Sequence, residues 1–216
     1  MENEKILKAG KIASEVKAWI KPKVKKDILL LEIAEKIENK IKELGGSPAF
    51  PVNLSINEYA AHYTPSHDDE TLAHGLLKVD FGVEIEGWIA DNAFSIDLEN
   101  TKENKELIKA TEDALKSAEK IISSETSLGE VGNVIEKTIH RYTFNPVANL
   151  SGHSMEQYDL HAGVTVPNVD NNSENIFDEG LYAIEPFATN GNGFVHEGKK
   201  ENIFFLHEQK IGRAHV

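Results

Sequence analysis

The sequence predicts an α+β fold, a curved antiparallel sheet covered on one face by helices, and three observations predict it. Two long stretches with apolar residues at helical spacing come before any strand. The run Val79–Ser95, VDFGVEIEGWIADNAFS, alternates in character on both sides of Glu86-Gly87 and reads as a β-hairpin with a two-residue turn. The order helix, helix, strands then recurs, which suggests a duplicated unit whose second repeat is incomplete.

The first helix, residues 2–20, has Ile6, Ala9, Ile12, Val16 and Ile20 on one stripe and ends before Pro22. The second is expected from Asp27 as N-cap, with Leu30, Ile33, Ala34, Ile37, Ile41 and Leu44 inward, and stops at Gly45-Gly46. Phe50-Pro51 leads into a short strand, Val52–Ile56, and NEYAAHYTP (Asn57–Pro65) is a loop carrying His62. After the hairpin, Asn100 and Glu103 form an expected capping pair for a helix through Ile122. Ser127-Leu-Gly-Glu130 is a capping box opening a helix to about Arg141. From Pro146 short extended pieces follow at Val147–Leu150, Ala162–Val166 and Leu181–Phe187, with polar, turn-rich Asn168–Gly180 between the last two.

A two-residue turn at Glu86-Gly87 pairs Ile85 with Trp88, Val83 with Ala90 and Gly82 with Asp91. Asp80 then lies diagonally from Asp91 on one face, beside Gly82 and Ala93, which leave room above it. Val79, Phe81, Val83, Ile85, Trp88, Ala90 and Phe94 make the opposite, core-facing side. Two carboxylates aimed into one pocket repel unless a cation lies between them. A pair of divalent ions roughly 3.5–4 Å apart is the natural occupant in hydrolytic sites.

The 216 residues suit one large domain or two small ones, and 40% hydrophobic with 27% charged residues describes an ordinary globular chain. A net charge of −13 argues against nucleic acid or an anionic membrane as main partner. Cysteine is absent, which excludes disulfides and thiolate metal sites. Glu2, Glu4 and Lys5 break up the start and no apolar run approaches ~20 residues, so a cytoplasmic protein is expected.

Three further pieces join the aspartates. SGHSMEQYDLHAG (Ser151–Gly163) places His153 after a glycine and His161 eight residues on, and LYAIEPF (Leu181–Phe187) puts Glu185 among apolar residues just before Pro186. A carboxylate there is costly unless paired or metal-bound. Taken singly, His153 reads as a turn histidine, His62 as a hydrogen-bonded loop residue and Glu185 as an edge-strand surface residue. Their occurrence together with two aspartates favours a site of oxygen and imidazole donors, suited to Mn, Fe, Co or Zn.

AAHYTP (Ala60–Pro65), VDFG (Val79–Gly82), IADNA (Ile89–Ala93), GHSMEQYDLHAG (Gly152–Gly163) and YAIEPF (Tyr182–Phe187) together resemble the methionine aminopeptidases of the pita-bread fold, specifically type II, over nearly all of residues 1–210. AAHYTP, and GHS in place of GHG, point to type II, and the short N-terminus to an archaeal source. The resemblance implies Asp80, Asp91, His153 and Glu185 as ligands of two divalent metals (Co, Mn, Fe, Zn or Ni). Asp91 would bridge both, and Glu185 is the carboxylate placed to take a proton from the attacking water. His62 and His161 match the family's substrate histidines, one for the scissile amide nitrogen and one for the developing oxyanion. Phe50 and Leu160 fall where the family lines its methionine pocket. The implied substrate is the initiator methionine of nascent polypeptides, removed by a cytoplasmic monomer working near the ribosome, without direct nucleic-acid or membrane contact. Two alternatives remain, a non-catalytic pita-bread module that binds peptides or proteins and a proline-specific dipeptidase.

The chain departs from the family in one ligand. A bridging glutamate on a late strand of the second repeat has no counterpart, and Glu201 and Glu208 lack the strand context it needs. The last residues, IGRAHV (Ile211–Val216), can be encoded by ATCGGAAGAGCACACGTC, read-through into a common sequencing adapter. The expectation is a catalytic domain over 1–210 cut short near the type II helical insertion, a non-native tail at 211–216, and impaired activity of the fragment itself.

Overall fold

The structure, a computed structural model, describes residues 2–198, 204–207 and 210–213. The described residues divide into two compact units, one falling within 1–85, 90–99 and 197–216 and the other within 86–89 and 100–196. Each repeats the order helix, helix, strands, in line with the expected α+β class and duplicated unit.

In the first unit, α1 (Glu2–Ile20) and α2 (Leu30–Glu43) precede β1 (Ser47–Pro48), β2 (Asn53–Ile56), β3 (Leu76–Ile85) and β4 (Trp88–Asp97). The sheet order is β1-β3-β2, with β4 also on β3, and β1 and β2 pair antiparallel with β3. Both helices bury most of their expected stripes, Ala9, Ile12, Val16 and Ile20 from α1 and Leu30, Ile33, Ala34, Ile37 and Ile41 from α2, against Leu54, Leu77, Val79, Phe81 and Val83 of the sheet, while Ile6 and Leu44 are half-buried. Each fully buried Leu, Ile or Phe adds about 1.5–3 kcal/mol.

α2 ends as its sequence predicts. Gly45 takes φ 80°, its N–H bonds Lys42 O, and Gly46 N–H reaches back to Ile41 O, a Schellman closure. Its start differs. Asp27 sits in a turn at φ 65° and Leu29 is the N-cap, with no side-chain cap, because the Asp27 and Leu30 N–H groups bond Ala73 O and Thr71 O and hold the chain extended past the expected start. The hairpin turn forms as expected, with Glu86 at φ 50° and Gly87 at φ 83°, the left-handed pair a two-residue turn requires.

In the second unit, α3 (Lys102–Glu119) and α4 (Leu128–His140) are followed by β5 (Asn145–Pro146), β6 (Ser151–Met155), β7 (Thr165–Pro167), β8 (Leu181–Ala183) and β9 (Ala188–Thr189). β7-β6-β8 form a three-stranded antiparallel sheet, and β5 pairs with β9. Among the described residues strands β1–β9 thus fall into a four-stranded sheet in the first unit and a three-stranded sheet with a two-stranded pair in the second. The Ser127–Glu130 capping box is complete. α3 is capped by Thr101, not Asn100: the Thr101 hydroxyl accepts from Asn104 N–H, while Asn100 occupies a left-handed turn at φ 58°. α3 turns three alanines inward, Ala110, Ala114 and Ala118, all fully buried and part of the core to which α4 contributes Val131, Ile135 and Ile139.

Val147–Leu150 is not a strand, and the extended segment is instead Ser151–Met155, so His153 lies within β6. β10 (Phe204–His207) and β11 (Lys210–Arg213) pair with each other. Residues 214–216 of the expected tail, and Glu201 and Glu208, lie outside the described residues. Among the described residues no helix is long and apolar enough to cross a membrane.

Candidate metal centre

Asp80 lies on β3 and Asp91 on β4, both half-buried. Asp80 stands directly opposite Asn53 of β2, whose Nδ2 donates to Asp80 Oδ2 at 3.3 Å. Two residues on, Gly82 leaves room that is already taken. A Cβ there would lie 2.5 Å from the Phe50 ring and 2.8 Å from Ala49 Cβ, so the absent side chain seats Phe50 and the expected open space is filled.

His62 takes φ 64°, unusual for a non-glycine residue, in the loop before Tyr63. That loop is tied down on both sides. Leu54 N–H donates to Tyr63 O at 2.6 Å, Tyr63 N–H to Ser55 Oγ at 3.3 Å, and the Tyr63 hydroxyl reaches Asp69 Oδ2 at 2.7 Å and Thr71 Oγ1 at 3.1 Å. Burial pushes the Tyr63 phenol above its ordinary value, and the Asp69 carboxylate beside it adds to the rise against the Thr71 hydrogen bond. Burial also raises Asp69, yet the hydrogen bonds from Thr71 and Tyr63 outweigh it and leave this carboxyl below its ordinary value.

In the second unit β6 and β8 bring His153 opposite Ala183, and Glu185 follows two residues later. Glu185 is not inside the strand: β8 ends at Ala183, since Pro186 has no N–H to continue a ladder and holds the residue before it extended. The glycine before His153 is a packing requirement, because a Cβ at Gly152 would meet Ala183 O at 2.1 Å. His153 is buried, with Nε2 at 3.0 Å from Glu185 Oε1, ion-pair distance without hydrogen-bond geometry. The exposed His161 ring stands edge-on to the His153 ring at 4.4 Å, because residues 162–164 fold back on Ser154 through Ala162 N–H to Ser154 O and Ser154 N–H to Val164 O. Leu160 is half-buried in the same loop.

The second unit thus gathers His153, His161 and Glu185, and the first sets Asp80 beside Asn53 and next to the strand that carries Asp91. The donors fit a divalent ion. Glu185 Oε1 is buried with no hydrogen bond, facing an imidazole nitrogen at 3.0 Å. Two atoms bound to one ion at about 2.0–2.2 Å lie roughly 3 Å apart when they are adjacent ligands. Carboxylates and imidazoles without thiolates suit Mn, Fe, Co, Ni or Zn. Reading the sequence missed Asn53, the hydrogen-bond partner of Asp80. Two polar residues, Asn53 and Ser55, alternating with Val52, Leu54 and Ile56 in the strand VNLSI were the available signal.

Paired helices over antiparallel strands, carrying carboxylates and imidazoles, fit a metal-dependent peptidase of the pita-bread fold. The model of Metallopeptidase family M24 matches residues 4–209. The methionine aminopeptidase of Methanocaldococcus jannaschii is 47% identical over 212 residues, covering 96% of this chain and 71% of the relative. That of Thermococcus onnurineus is 46% identical over 218 residues, 99% of this chain and 73% of the relative. Among solved structures, the methionine aminopeptidase of Thermotoga maritima superposes with a TM-score of 0.81 at 25% identity, over 89% of this chain and 81% of that one. A prolidase from Pyrococcus furiosus, at 22% identity and a TM-score of 0.74, shares the fold over 86% of this chain and 55% of its own. The chain belongs to metallopeptidase family M24, in its methionine aminopeptidase branch. Its expected archaeal character agrees with these relatives, and the dipeptidase and binding-module alternatives are not favoured.

Proposed function

We propose that the activity this chain serves is hydrolysis of the first peptide bond of polypeptides that begin with methionine, with Asp80, Asp91, His153 and Glu185 as metal ligands. Water adds across the bond, releasing free methionine and a peptide one residue shorter. The bound divalent ions supply Lewis acidity and lower the pKa of a water. The chain's own groups do the rest. His62 and His161 meet the scissile amide and its oxygen. The Glu185 carboxylate accepts the water's proton and passes it to the leaving amine, which departs neutral. Phe50 and Leu160 receive the methionine side chain, an unbranched thioether that fits an apolar slot. The enzyme works on nascent chains in the cytoplasm, near the ribosome, as a monomer.

The observation that carries this reading is the buried Glu185 oxygen without a hydrogen bond facing the His153 imidazole at 3.0 Å. Left without a cation, a carboxylate in that position costs on the order of 1–3 kcal/mol or more. Calorimetric titration of Mn(II) or Co(II) into the purified chain tests the ligand set. Uptake is expected in the native sequence and abolished in Asp91→Asn and Glu185→Gln. Equal uptake by these variants, or none by the native chain, overturns the assignment.

A further inference from the structure

We infer that Asn53 and Thr64 form a positioning pair that sets the metal ligand Asp80 and the His62 segment together, an inference that rests on the ligand set proposed above. Asn53 is a buried polar residue, 5% exposed, in a strand whose other members are Leu54, Ser55 and Ile56. Its side-chain amide makes two bonds of opposite sense. Nδ2 donates to Asp80 Oδ2 at 3.3 Å, and Oδ1 accepts from the Thr64 hydroxyl at 2.7 Å.

Chemistry fixes this orientation. An ionised carboxylate only accepts, so the amide NH₂ must face Asp80. The amide oxygen then faces Thr64, which must donate. The Thr64 hydroxyl also lies 3.4 Å from Val52 O, but its single proton favours the shorter contact with Asn53. The result is one directed chain, Thr64 hydroxyl to Asn53 amide to Asp80 carboxylate.

At one end the chain acts on a metal ligand. A carboxylate turns about two torsions, and pinning one of its oxygens fixes its plane. Partners of this kind tune metal affinity about 10–100-fold. At the other end it acts on the substrate histidine, since Thr64 lies two residues from His62. Tyr63 between them is held by Leu54 N–H, Ser55, Asp69 and Thr71. The His62 backbone at φ 64° is uncommon, and such a conformation persists only where its neighbours over-determine it. With Tyr63 anchored, the remaining freedom of the segment is closed by Thr64. A substrate group and a metal ligand are thereby set by the same two hydrogen bonds.

A purely structural Asn–Thr pair would change stability and leave affinity for the metal alone. Co(II) titration of the full chain, followed by calorimetry and by the visible absorption of the bound ion, separates the two. Asn53→Ala is expected to weaken Co(II) about 10–100-fold and to alter its absorption spectrum. Thr64→Val, nearly isosteric and the safer variant for folding, is expected to weaken it about 2–10-fold though it touches no ligand, as loss of one hydrogen bond would. Thr64→Ser keeps the hydroxyl and should restore native affinity. The double variant should bind no more weakly than Asn53→Ala, because both act through one chain. If native chain binds Co(II), Asp91→Asn does not, and Thr64→Val binds as the native chain does, the pair is structural and the inference fails alone. If the native chain binds no Co(II), the ligand set fails and the inference falls with it.

Discussion

Replacing Gly152 by alanine tests how the second unit holds its donors. The added Cβ would lie 2.1 Å from Ala183 O, 3.1 Å from Ala183 C and 3.2 Å from Glu185 N. All three are backbone atoms, so no side chain can swing away. A carbon–oxygen contact settles at roughly 3.3 Å, so β6 and β8 must part by about 1 Å. A ladder hydrogen bond starting near 2.9 Å then passes the limit of useful geometry. The ladder is short, with pairs only at His153–Ala183, Ser154–Tyr182 and Met155–Leu181. One or two bonds broken with buried partners cost about 1–3 kcal/mol each, against a gain of about 0.5–1 kcal/mol for replacing a strand glycine. The net loss is about 2–4 kcal/mol, which lowers the melting temperature by roughly 5–15 °C for a chain of this size. The same separation carries His153 away from Glu185, so metal affinity should fall alongside. Thermal unfolding by circular dichroism and a Mn(II) titration report both. A variant that melts within about 2 °C of the native chain and binds metal equally well would refute the close-approach explanation of this glycine.

Two more expectations concern the first unit. Gly82→Ala pushes into Phe50, an overlap costing about 1–3 kcal/mol. Because this neighbour is a side chain, it should turn out of place, weakening a peptide that begins with methionine more than one that begins with alanine in calorimetric binding. Equal effects on both would remove Phe50 from the methionine pocket. Lys78 donates to Asn57 O at 2.7 Å, and burial lowers its pKa from 10.5 to about 8, against the attraction of Glu58. Between those values the unfolded chain holds the extra proton, so stability should rise with pH from about 8, by at most ~1.4 kcal/mol per unit. Tyr63, Lys26 and Lys109, all raised in the fold, act with the opposite sign and only near their own higher values. Urea unfolding at pH 8 and at about 9.5 should show the increase, and Lys78→Met should abolish it; a rise of the same size in that variant would assign it elsewhere.

Elements whose local chemistry decides their shape were legible from residues alone. The α1 and α2 stripes, the Gly45-Gly46 stop, the Ser127–Glu130 box and the turn at Glu86-Gly87 all fall where the sequence places them. Errors arose where distant backbone intervenes. Asp27 looks like a cap, but residues 71–73 bind the chain there and delay the helix to Leu30. Asn100 and Thr101 are both capable caps, and the choice depends on which of them turns left-handed. Of the site, the proposed ligands and histidines were read through their motifs. The supporting shell was not: Thr64 meets Asn53 at a sequence separation of 11, a pairing that spacing does not announce. His153 likewise reads as a turn histidine until Ala183 O is seen against the glycine before it.

The alanine seam of α3 reaches further than its own helix. Ala110, Ala114 and Ala118 have no side-chain torsions to exchange, so the gap they leave towards α4 is ruled by the main chain alone. α4 in turn packs on β7, and β7 is laced to β6, the strand that presents His153. Three methyl groups thus serve as a spacer gauge for an imidazole several layers away. Enlarging any of them would shift the gauge and detune the imidazole without a single donor atom being touched.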